Sequence, residues 1–387
     1  MSKILITGGA GFIGYNLVNS IKKSHEVVIF DNEFRGSFGK FADNKIKFIK
    51  GDITKLSDLE KIPLEIDSVF HLGAINGTKF FYEIPDQVLD VNIRGVQNLL
   101  EFSRKCDVKS ILFTSSSEVY GYPQIFPTPE TEYLSIPNPY NPRFSYSSSK
   151  IIGELLCIYF AKKYNFKHTI VRYHNIYGPN MGHEHVMPQF IKKLVNNEEF
   201  LVEGNGTETR SFCFIDDAIS GTLLAHNDDS HKERIFNIGN DFESSILDLI
   251  NLLSEISGKK ISPKFKSKEN AGTNRRVPDI SKVKSVGYTP KIPLEQGLKI
   301  TYDWYHKYYS NKRESQFRDN ENLFWIKNGL SREMSRIVAG EKERIRISLD
   351  ADSQYKKAVE VLLDQNMYYD LLSPKTEIVK NEEDNDQ

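Results

Sequence analysis

The sequence has little cysteine and no excess of charge of either sign. Its three cysteines, Cys106, Cys157 and Cys213, are far apart and form no CxxC pair. This argues against a disulfide framework and is typical of reduced thiols in a cytoplasmic protein. The 51 basic and 52 acidic residues nearly cancel, so no overall field favours nucleic acid or an acidic membrane as a partner.

Long hydrophobic runs are also missing. No uninterrupted apolar run reaches ~18 residues, the length that a membrane-spanning helix needs, and the first apolar run lies too close to the N-terminus to leave room for a signal peptide. Hydrophobic residues still make up 39% of the chain, which is enough for a sizeable core. We expect a soluble cytoplasmic protein with two domains, or one α/β unit with an appendage.

What the sequence does have is a glycine-rich turn at its start. An apolar run over residues 3–7 leads into Gly8, Gly9, Gly11 and Gly14 and then into a helical pattern. The G-x-G-x-x-G spacing is weak evidence alone, but a strand, a glycine turn and a helix in this order are typical of dinucleotide binding. The glycines allow close backbone approach, and the free amides of the helix start face a diphosphate.

An acidic residue supports this interpretation. The next apolar run ends on Asp31, 20 residues after Gly11, where a carboxylate can accept hydrogen bonds from the adenosine ribose. Asp31 would repel a ribose 2′-phosphate, and Arg35 is four positions further on. The sequence therefore favours NAD over NADP.

Further apolar, β-branched runs alternate with helical stretches, including a helix from about residue 85 to 106. This alternation predicts right-handed βαβ crossovers and a doubly wound parallel sheet of the Rossmann type. Because ligands collect at the carboxyl ends of such strands, we expect Asp52, Gly73, Ala74 and the serines after the fifth strand to share one crevice.

A tyrosine and a lysine follow at helical spacing. Tyr146 and Lys150 are four residues apart, so they project from one face of a helix. A lysine ammonium there would favour the tyrosinate and let Tyr146 act as a base near neutral pH. Because the pair follows a nucleotide-binding motif and a serine-bearing strand, we interpret it as catalytic.

Together these motifs resemble those of the extended short-chain dehydrogenase/reductases, and more closely the nucleotide-sugar epimerase/dehydratase family. Gly73 is one departure, because the family usually has alanine there. The resemblance covers about residues 3–309, and its positions are Thr7, Gly8, Gly11, Gly14, Asp31, Asp52, His71 to Ala74, Asn92, Ser115 to Gly121, Tyr146, Lys150 and Arg172 to Pro179.

The resemblance implies NAD as the cofactor, a nucleotide-diphosphate sugar as the substrate and a homodimer as the assembly. Ser116 would hydrogen-bond the sugar hydroxyl, Tyr146 would take its proton, and Lys150 would hold the nicotinamide ribose and tune Tyr146. Hydride would leave a ring carbon, commonly C4. The implied cofactor-binding residues are Gly8, Gly11, Phe12, Ile13, Gly14, Asp31, Asn32, Asp52, Ile53, Leu72, Gly73, Ala74, Asn92, Tyr146, Lys150 and Tyr173.

Two positions bear on the fate of the keto-sugar. Family dehydratases typically carry Asp-Glu as acid and base where this chain has Ser117 and Glu118. Together with Arg143, this pair also resembles the GDP-mannose dehydratases and UDP-glucuronate decarboxylases, whereas plain 4-epimerases generally lack the glutamate. A solvated turn carboxylate is the alternative interpretation of Glu118.

A second group of residues is predicted to hold the substrate. Residues 204–212 form a hairpin-like turn that carries Arg210, and Arg276 supplies a second basic point. Guanidinium forks suit a diphosphate, and the resemblance implies that both clamp it and that Asn175 binds the substrate. His183 and His185 lack a third matched ligand, so we predict no metal.

The domain prediction follows from these assignments. We expect the α/β Rossmann domain over 1–175 with a returning segment at about 211–240, a smaller nucleotide-sugar-binding domain over 176–210 and 241–310, and an extension of unknown role over 311–387. In the extension, alternation over 344–349 predicts a strand, residues 355–363 a helix, and the acidic end a disordered tail.

Several functions remain open at this point. The leading one is an NAD-dependent nucleotide-sugar epimerase that works through a keto intermediate, slightly favoured over a 4,6-dehydratase or a decarboxylase. A non-catalytic NAD-binding regulatory or scaffold module is the alternative of another class. The presence of Ser116, Tyr146 and Lys150 argues against it.

Overall fold

A computed structural model describes residues 1–41, 46–267, 273–318 and 320–364. The predicted acidic tail lies outside these residues. The strands are β1 (Lys3–Thr7), β2 (Glu26–Asp31), β3 (Lys47–Lys50), β4 (Ser68–His71), β5 (Ser110–Ser116), β6 (Lys167–Tyr173), β7 (Ile176–Tyr177), β8 (Leu201–Glu203), β9 (Thr209–Arg210), β10 (Cys213–Phe214), β11 (Ile235–Ile238), β12 (Ser244–Ser245), β13 (Lys264–Lys266) and β14 (Arg275–Arg276).

The first helix begins directly after the glycine-rich turn. The helices are α1 (Phe12–Ile21), α2 (Leu56–Leu59), α3 (Thr78–Glu83), α4 (Pro85–Lys105), α5 (Phe144–Tyr164), α6 (Val186–Asn196), α7 (Ile215–Asn227), α8 (Ile246–Ser257), α9 (Ser281–Ser285), α10 (Leu294–Arg318), α11 (Asn320–Ala339), α12 (Glu341–Ala351) and α13 (Ser353–Leu363). Two 3-10 turns lie at Phe38–Lys40 and Ser117–Tyr120.

Seven parallel strands form the large sheet, in the order β11-β6-β5-β4-β1-β2-β3. Both faces are covered, because Ile4 and Ile6 of β1 belong to one hydrophobic cluster while Leu5 belongs to the other. This alternation is what a buried parallel strand requires. The predicted doubly wound α/β fold is confirmed.

Smaller sheets lie at the carboxyl end of the large sheet's later strands. The strand β9 pairs with β12 and β14, and β8 pairs with β13. The turn at 204–212 was therefore wrongly predicted as a hairpin, since its two strands belong to different sheets. Between β10 and β12 in the sequence, the chain returns to the large sheet through α7 and β11, and β11 pairs with β6. The predicted domain boundaries stay a prediction.

The chain divides into two compact units, Met1–Tyr309 and Ser310–Gln387. In the second unit the predicted strand over 344–349 is wrong, because these residues lie in α12, where Arg344 and Arg346 pair with Glu341 and Glu343 one turn earlier. The helix predicted over 355–363 is present as α13. Among the helices described, none has the length and hydropathy to cross a membrane.

A buried ion pair joins three elements of the first unit. Arg172 of β6 donates from Nε and Nη2 to the carboxylate of Glu154 in α5, at 2.9 and 2.7 Å. The Ser115 hydroxyl of β5 donates to the same carboxylate at 2.5 Å. The side chains of Arg172 and Glu154 are only 3% and 2% exposed, so each charge depends on the other.

Breaking this pair is expected to destabilise the fold. Glu154→Gln leaves the Arg172 guanidinium buried without a counter-charge, and we expect a loss of about 3–5 kcal/mol in the free energy of unfolding. Urea unfolding measures it. Glu101→Gln is the matched control, because Glu101 and Arg104 form an exposed pair worth at most about 1 kcal/mol. Equal losses in the two variants would contradict a special role for the buried pair.

Candidate active site

Two adjoining clefts open at the carboxyl edge of the large sheet. The aspartate cleft, about 260 Å³, contains Asp31. The tyrosine cleft, about 390 Å³, contains Tyr146. Both are lined by Gly8 and Gly11, so they meet over the glycine-rich turn. Their position at the carboxyl ends of the strands suits a dinucleotide with a second ligand beyond it.

The glycine-rich turn leaves no room for side chains. Gly8 has φ +70°, and a Cβ there would lie 2.6 Å from the Gly73 nitrogen. A Cβ on Gly14 would lie 2.3 Å from the Gly8 oxygen. The turn is thus packed against the loop after β4 and against the start of α1, whose first amides open into the tyrosine cleft beside Phe12 and Ile13. These residues fit a dinucleotide.

Asp31 is fixed by two backbone donors. Its carboxylate accepts from the amides of Ala10 and Glu33 at 3.0 and 2.7 Å. Burial nevertheless raises its pKa above the usual value. The other predicted residues of this cleft also line it, namely Asn32, Asp52, Ile53, Leu72, Gly73 and Ala74.

The predicted catalytic group lies in the tyrosine cleft. It contains Ser116, Ser117, Glu118, Tyr146 and Lys150, together with Tyr173, Asn175 and Arg276. The Ser116 hydroxyl accepts from the Glu118 amide at 3.2 Å and lies close enough to the Tyr146 phenol to act against the rise of its pKa. The Tyr146 ring stacks on Phe81 with centroids 4.9 Å apart, which fixes the direction of the phenol.

The charges around Tyr146 differ from the sequence-based expectation. Burial raises the pKa of Tyr146 well above its usual value, and the negative charge of Glu118 raises it further. Lys150 donates instead to the Thr114 carbonyl at 2.7 Å, and burial lowers the Lys150 pKa to about 8. Lys150 Nζ lies 5.7 Å from the centre of the Tyr146 ring, and its effect on the phenol stays a prediction.

Glu118 is held by arginines from distant parts of the chain. Arg276 Nη1 donates to its carboxylate at 2.5 Å, and Arg143 Nη2 donates at 3.3 Å. Burial raises the pKa of Glu118, but the charges of Arg276, Arg143 and Arg210 outweigh it and hold the pKa at about 2. Glu118 is therefore an ion-paired carboxylate, and its interpretation as a solvated turn residue is wrong.

Arg210 stands beside Arg276 across the β9–β14 pairing. It donates to the carbonyls of Thr209 and Thr273, both at 2.7 Å. Burial and the charge of Arg276 lower its pKa to about 10. Arg143, Arg210 and Arg276 surround the single carboxylate of Glu118. This cluster therefore carries a net positive charge, which suits an anionic ligand.

Three predicted residues, Asn92, Arg143 and Arg210, line neither cleft, and the basic residues Arg35 and Lys40 are among the lining residues that were not predicted. Asn92 bonds both backbone groups of Ile75 and donates to the Ser149 hydroxyl, so it positions the wall and does not face the clefts. Arg35 and Lys40 line the tyrosine cleft. For Arg35 the sequence signal was a basic residue four positions after Asp31, which was used only to choose between NAD and NADP, and Lys40 was not considered.

The histidines of the 181–185 segment also line the tyrosine cleft. The Nδ1 atom of His183 bonds the Tyr309 hydroxyl at 2.8 Å, and burial lowers the pKa of His185 to about 4. Within the described parts of the chain, no group of three or more potential ligands could hold a metal ion.

The fold, the glycine-rich turn and the Ser-Tyr-Lys group define a dinucleotide-binding enzyme. Residues 4–239 match the model of the NAD dependent epimerase/dehydratase family. The chain belongs to this family, and its cofactor is NAD. It is an enzyme of the epimerase, dehydratase and decarboxylase class, so the scaffold alternative is set aside.

The names of individual relatives indicate two activities, decarboxylation and 4-epimerisation. UDP-glucuronic acid decarboxylase 5 of Arabidopsis thaliana is 33% identical over 307 residues, covering 77% of this chain and 87% of the relative. UDP-glucose 4-epimerase of Thermotoga maritima, solved with UDP-glucose, has 32% identity and a TM-score of 0.73 over 79% of this chain and 99% of its own. UDP-glucuronic acid 4-epimerase of Bacillus cereus, solved with UDP-glucuronic acid and NAD, has 31% identity and a TM-score of 0.70 over 79% and 100%.

The ion pairs of Glu118 predict a specific pH dependence of stability. Its pKa is about 2 in the folded chain, against an ordinary value of 4.5. Ionised Glu118 therefore stabilises the fold above pH 4.5, and this contribution is lost as the pH falls toward 2. Glu118→Gln removes the titrating group, so its free energy of unfolding should fall less steeply than wild type below about pH 4.5. Urea unfolding at a series of pH values measures this, and parallel curves would contradict it.

Proposed function

We propose that this enzyme oxidises C4 of a UDP-linked uronic acid and releases carbon dioxide from the keto acid. A UDP-uronic acid carries a diphosphate and a sugar carboxylate. Glu118 and Arg276 line the tyrosine cleft, and the charges of Arg143 and Arg210 also act on Glu118, so that this cluster carries more positive than negative charge. The names of the decarboxylase and the glucuronic acid epimerase support a charged sugar.

The proposed reaction assigns roles to the residues of the tyrosine cleft. In its tyrosinate form Tyr146 accepts the proton of the C4 hydroxyl, and Ser116 hydrogen-bonds the same oxygen. NAD, when bound, supplies the hydride acceptor and later the hydride donor at C4. At the end Tyr146 returns the proton to the C4 oxygen. Because the hydride also returns to C4, the reaction involves no net oxidation. The raised pKa of Tyr146 suits its second role as an acid.

Carbon dioxide loss needs no acid for a leaving group. Once C4 is a ketone, the carboxylate on C5 is that of a β-keto acid. Breaking the C5–C6 bond leaves its electron pair in an enolate over C5, C4 and the C4 oxygen, and water then protonates C5. Dehydration, by contrast, needs a proton donor beside the leaving hydroxyl. Ser117 is a weak acid, and Glu118 is ionised at neutral pH.

The observation that carries the choice of decarboxylation is the Glu118–Arg276 ion pair. A sugar held at its C4 oxygen by Ser116 and Tyr146 brings its C6 group toward Glu118. An arginine bound tightly to the C6 carboxylate would stabilise the anion and slow its departure. Because Glu118 already neutralises Arg276, that stabilisation is weak, and the charge of Glu118 repels the carboxylate further.

Epimerisation at C4 is the second candidate. It is supported by the likeness to the two 4-epimerases, and it uses the same Ser116, Tyr146 and Lys150. The two reactions share their first step and differ in whether C6 is retained. They are therefore distinguished by the product.

The product assay tests the proposal. The purified chain is incubated with UDP-glucuronic acid, UDP-galacturonic acid and UDP-glucose, and the products are read by mass spectrometry and NMR. We expect loss of carbon dioxide from a uronic acid and no change in UDP-glucose. Tyr146→Phe should lower the rate at least about 100-fold with NAD still bound, whereas Tyr355→Phe in the second unit should not.

The contrary outcomes are equally specific. A product of unchanged mass with inverted C4 would replace decarboxylation by epimerisation, and loss of water would contradict both. Glu118→Gln should reduce carbon dioxide release about 10-fold or more, since it removes the charge beside C6. An unchanged rate in this variant would remove the basis for preferring the decarboxylase.

We also propose that the enzyme forms a homodimer in the cytoplasm. Ile152, Leu155 and Tyr159 of α5 are 38%, 46% and 64% exposed and repeat at helical spacing, and α5 packs beside α4, which suits a four-helix contact. Three free cysteines suit a reducing compartment. Sedimentation velocity should give a dimer for wild type and a monomer for Leu155→Arg. A wild-type monomer would refute this assembly.

A further inference from the structure

A short strap crosses the cofactor clefts. We define the strap as residues 34–40, which begin three residues after Asp31, the last residue of β2. Its Gly36 is pressed against the glycine-rich turn, since a Cβ there would lie 2.0 Å from the Ala10 oxygen. Its Phe34 packs on Phe80 of α3, with ring centroids 5.3 Å apart. The strap is therefore fixed at both walls.

Arg35 is the charged strap residue that lines both clefts. Its side chain lines both the aspartate cleft and the tyrosine cleft. Its Nη1 donates to the backbone carbonyl of Asn76 on the opposite wall. Gly77 beside it has no side chain, and a Cβ there would lie 3.6 Å from the same nitrogen. The guanidinium thus spans the opening over the glycine-rich turn.

The charge of Arg35 is not balanced by a direct partner. Among the residues that the structure describes, no carboxylate forms an ion pair with Arg35, and its hydrogen-bond acceptor is a neutral carbonyl. Desolvation by the cleft walls lowers its pKa, and Tyr146 and Asp31 act on it only from beyond hydrogen-bond distance. Lys40 at the other end of the strap donates to the Asn180 side chain at 2.9 Å. A cation held in this way over a cleft suits an anionic ligand.

We propose that Arg35 binds the diphosphate of NAD from the face opposite to the amides of α1. The amides supply one side of the anion site, and the guanidinium fork supplies the other. Arg35 is preferred as a cofactor residue because it lies where the two clefts meet over Gly8 and Gly11. The nucleotide sugar also carries a diphosphate, so the experiment has to distinguish the two ligands.

The experiment measures binding and not turnover. The full chain is freed of bound dinucleotide, and NAD and UDP are titrated separately by calorimetry into wild type and Arg35→Gln. Losing a charge-assisted hydrogen bond of about 1.5–3 kcal/mol should raise the Kd for NAD about 10- to 100-fold and leave the Kd for UDP unchanged. Arg336→Gln is the matched control, since Arg336 pairs with Glu333 in the second unit.

Each other outcome has a defined meaning. An NAD affinity within about twofold of wild type, or a loss of UDP binding alone, would overturn the proposal. Thermal unfolding without ligand shows whether the substitution disturbs the strap. If Arg35→Gln lowers Tm, Arg35→Lys decides, because lysine keeps the charge but not the fork. Recovery of most NAD affinity supports the proposal, and a loss equal to that of the glutamine variant contradicts it.

Discussion

The ion pair between Arg172 and Glu154 joins the three elements that carry the active site. Glu154 lies two turns after Tyr146 and one turn after Lys150 on α5. Arg172 directly precedes Tyr173 on β6, and Ser115 directly precedes Ser116 on β5. One carboxylate therefore sets the distance between the helix with the phenol and the strand with the serine. Because both charges are buried, small shifts in these elements are costly, and the geometry of Tyr146 and Ser116 is preorganised.

The chemistry of the site depends on how its charges are distributed. Lys150 and Tyr146 are both deprived of water, which favours the neutral form of each. Glu118 stays ionised because Arg276 and Arg143 surround it. The site thus holds a neutral proton carrier next to a fixed anion, and in the reaction that we propose this anion favours departure of the carboxylate over departure of water.

The sequence predicted the parts of the site that lie on long, periodic elements. The glycine turn, Asp31 and the Tyr146–Lys150 pair were all found from spacing, since strands and helices repeat with periods of 2 and 3.6. Arg143 and Arg276 were identified only through the family resemblance, and their ion pairs with Glu118 were not predicted. The two-residue strands β9 and β14 are too short to show a period in the sequence. The error over 344–349 has a related cause: alternation predicts a strand, but only a helix satisfies its own backbone and allows the pairs between Glu343 and Arg346.

The pairing of β9 with β14 has a consequence for how ligand and fold respond to each other. It places Arg210 and Arg276 side by side, a like-charge contact that ordinary strand pairing avoids and that the ion pair of Arg276 with Glu118 offsets in part. If the substrate diphosphate binds both arginines, as the family resemblance implies, it removes the remaining repulsion between them. Binding of an anionic ligand and the stability of this small sheet are thus thermodynamically linked. The linkage depends on ionic strength, because salt screens both the repulsion between the two arginines and their attraction for the ligand.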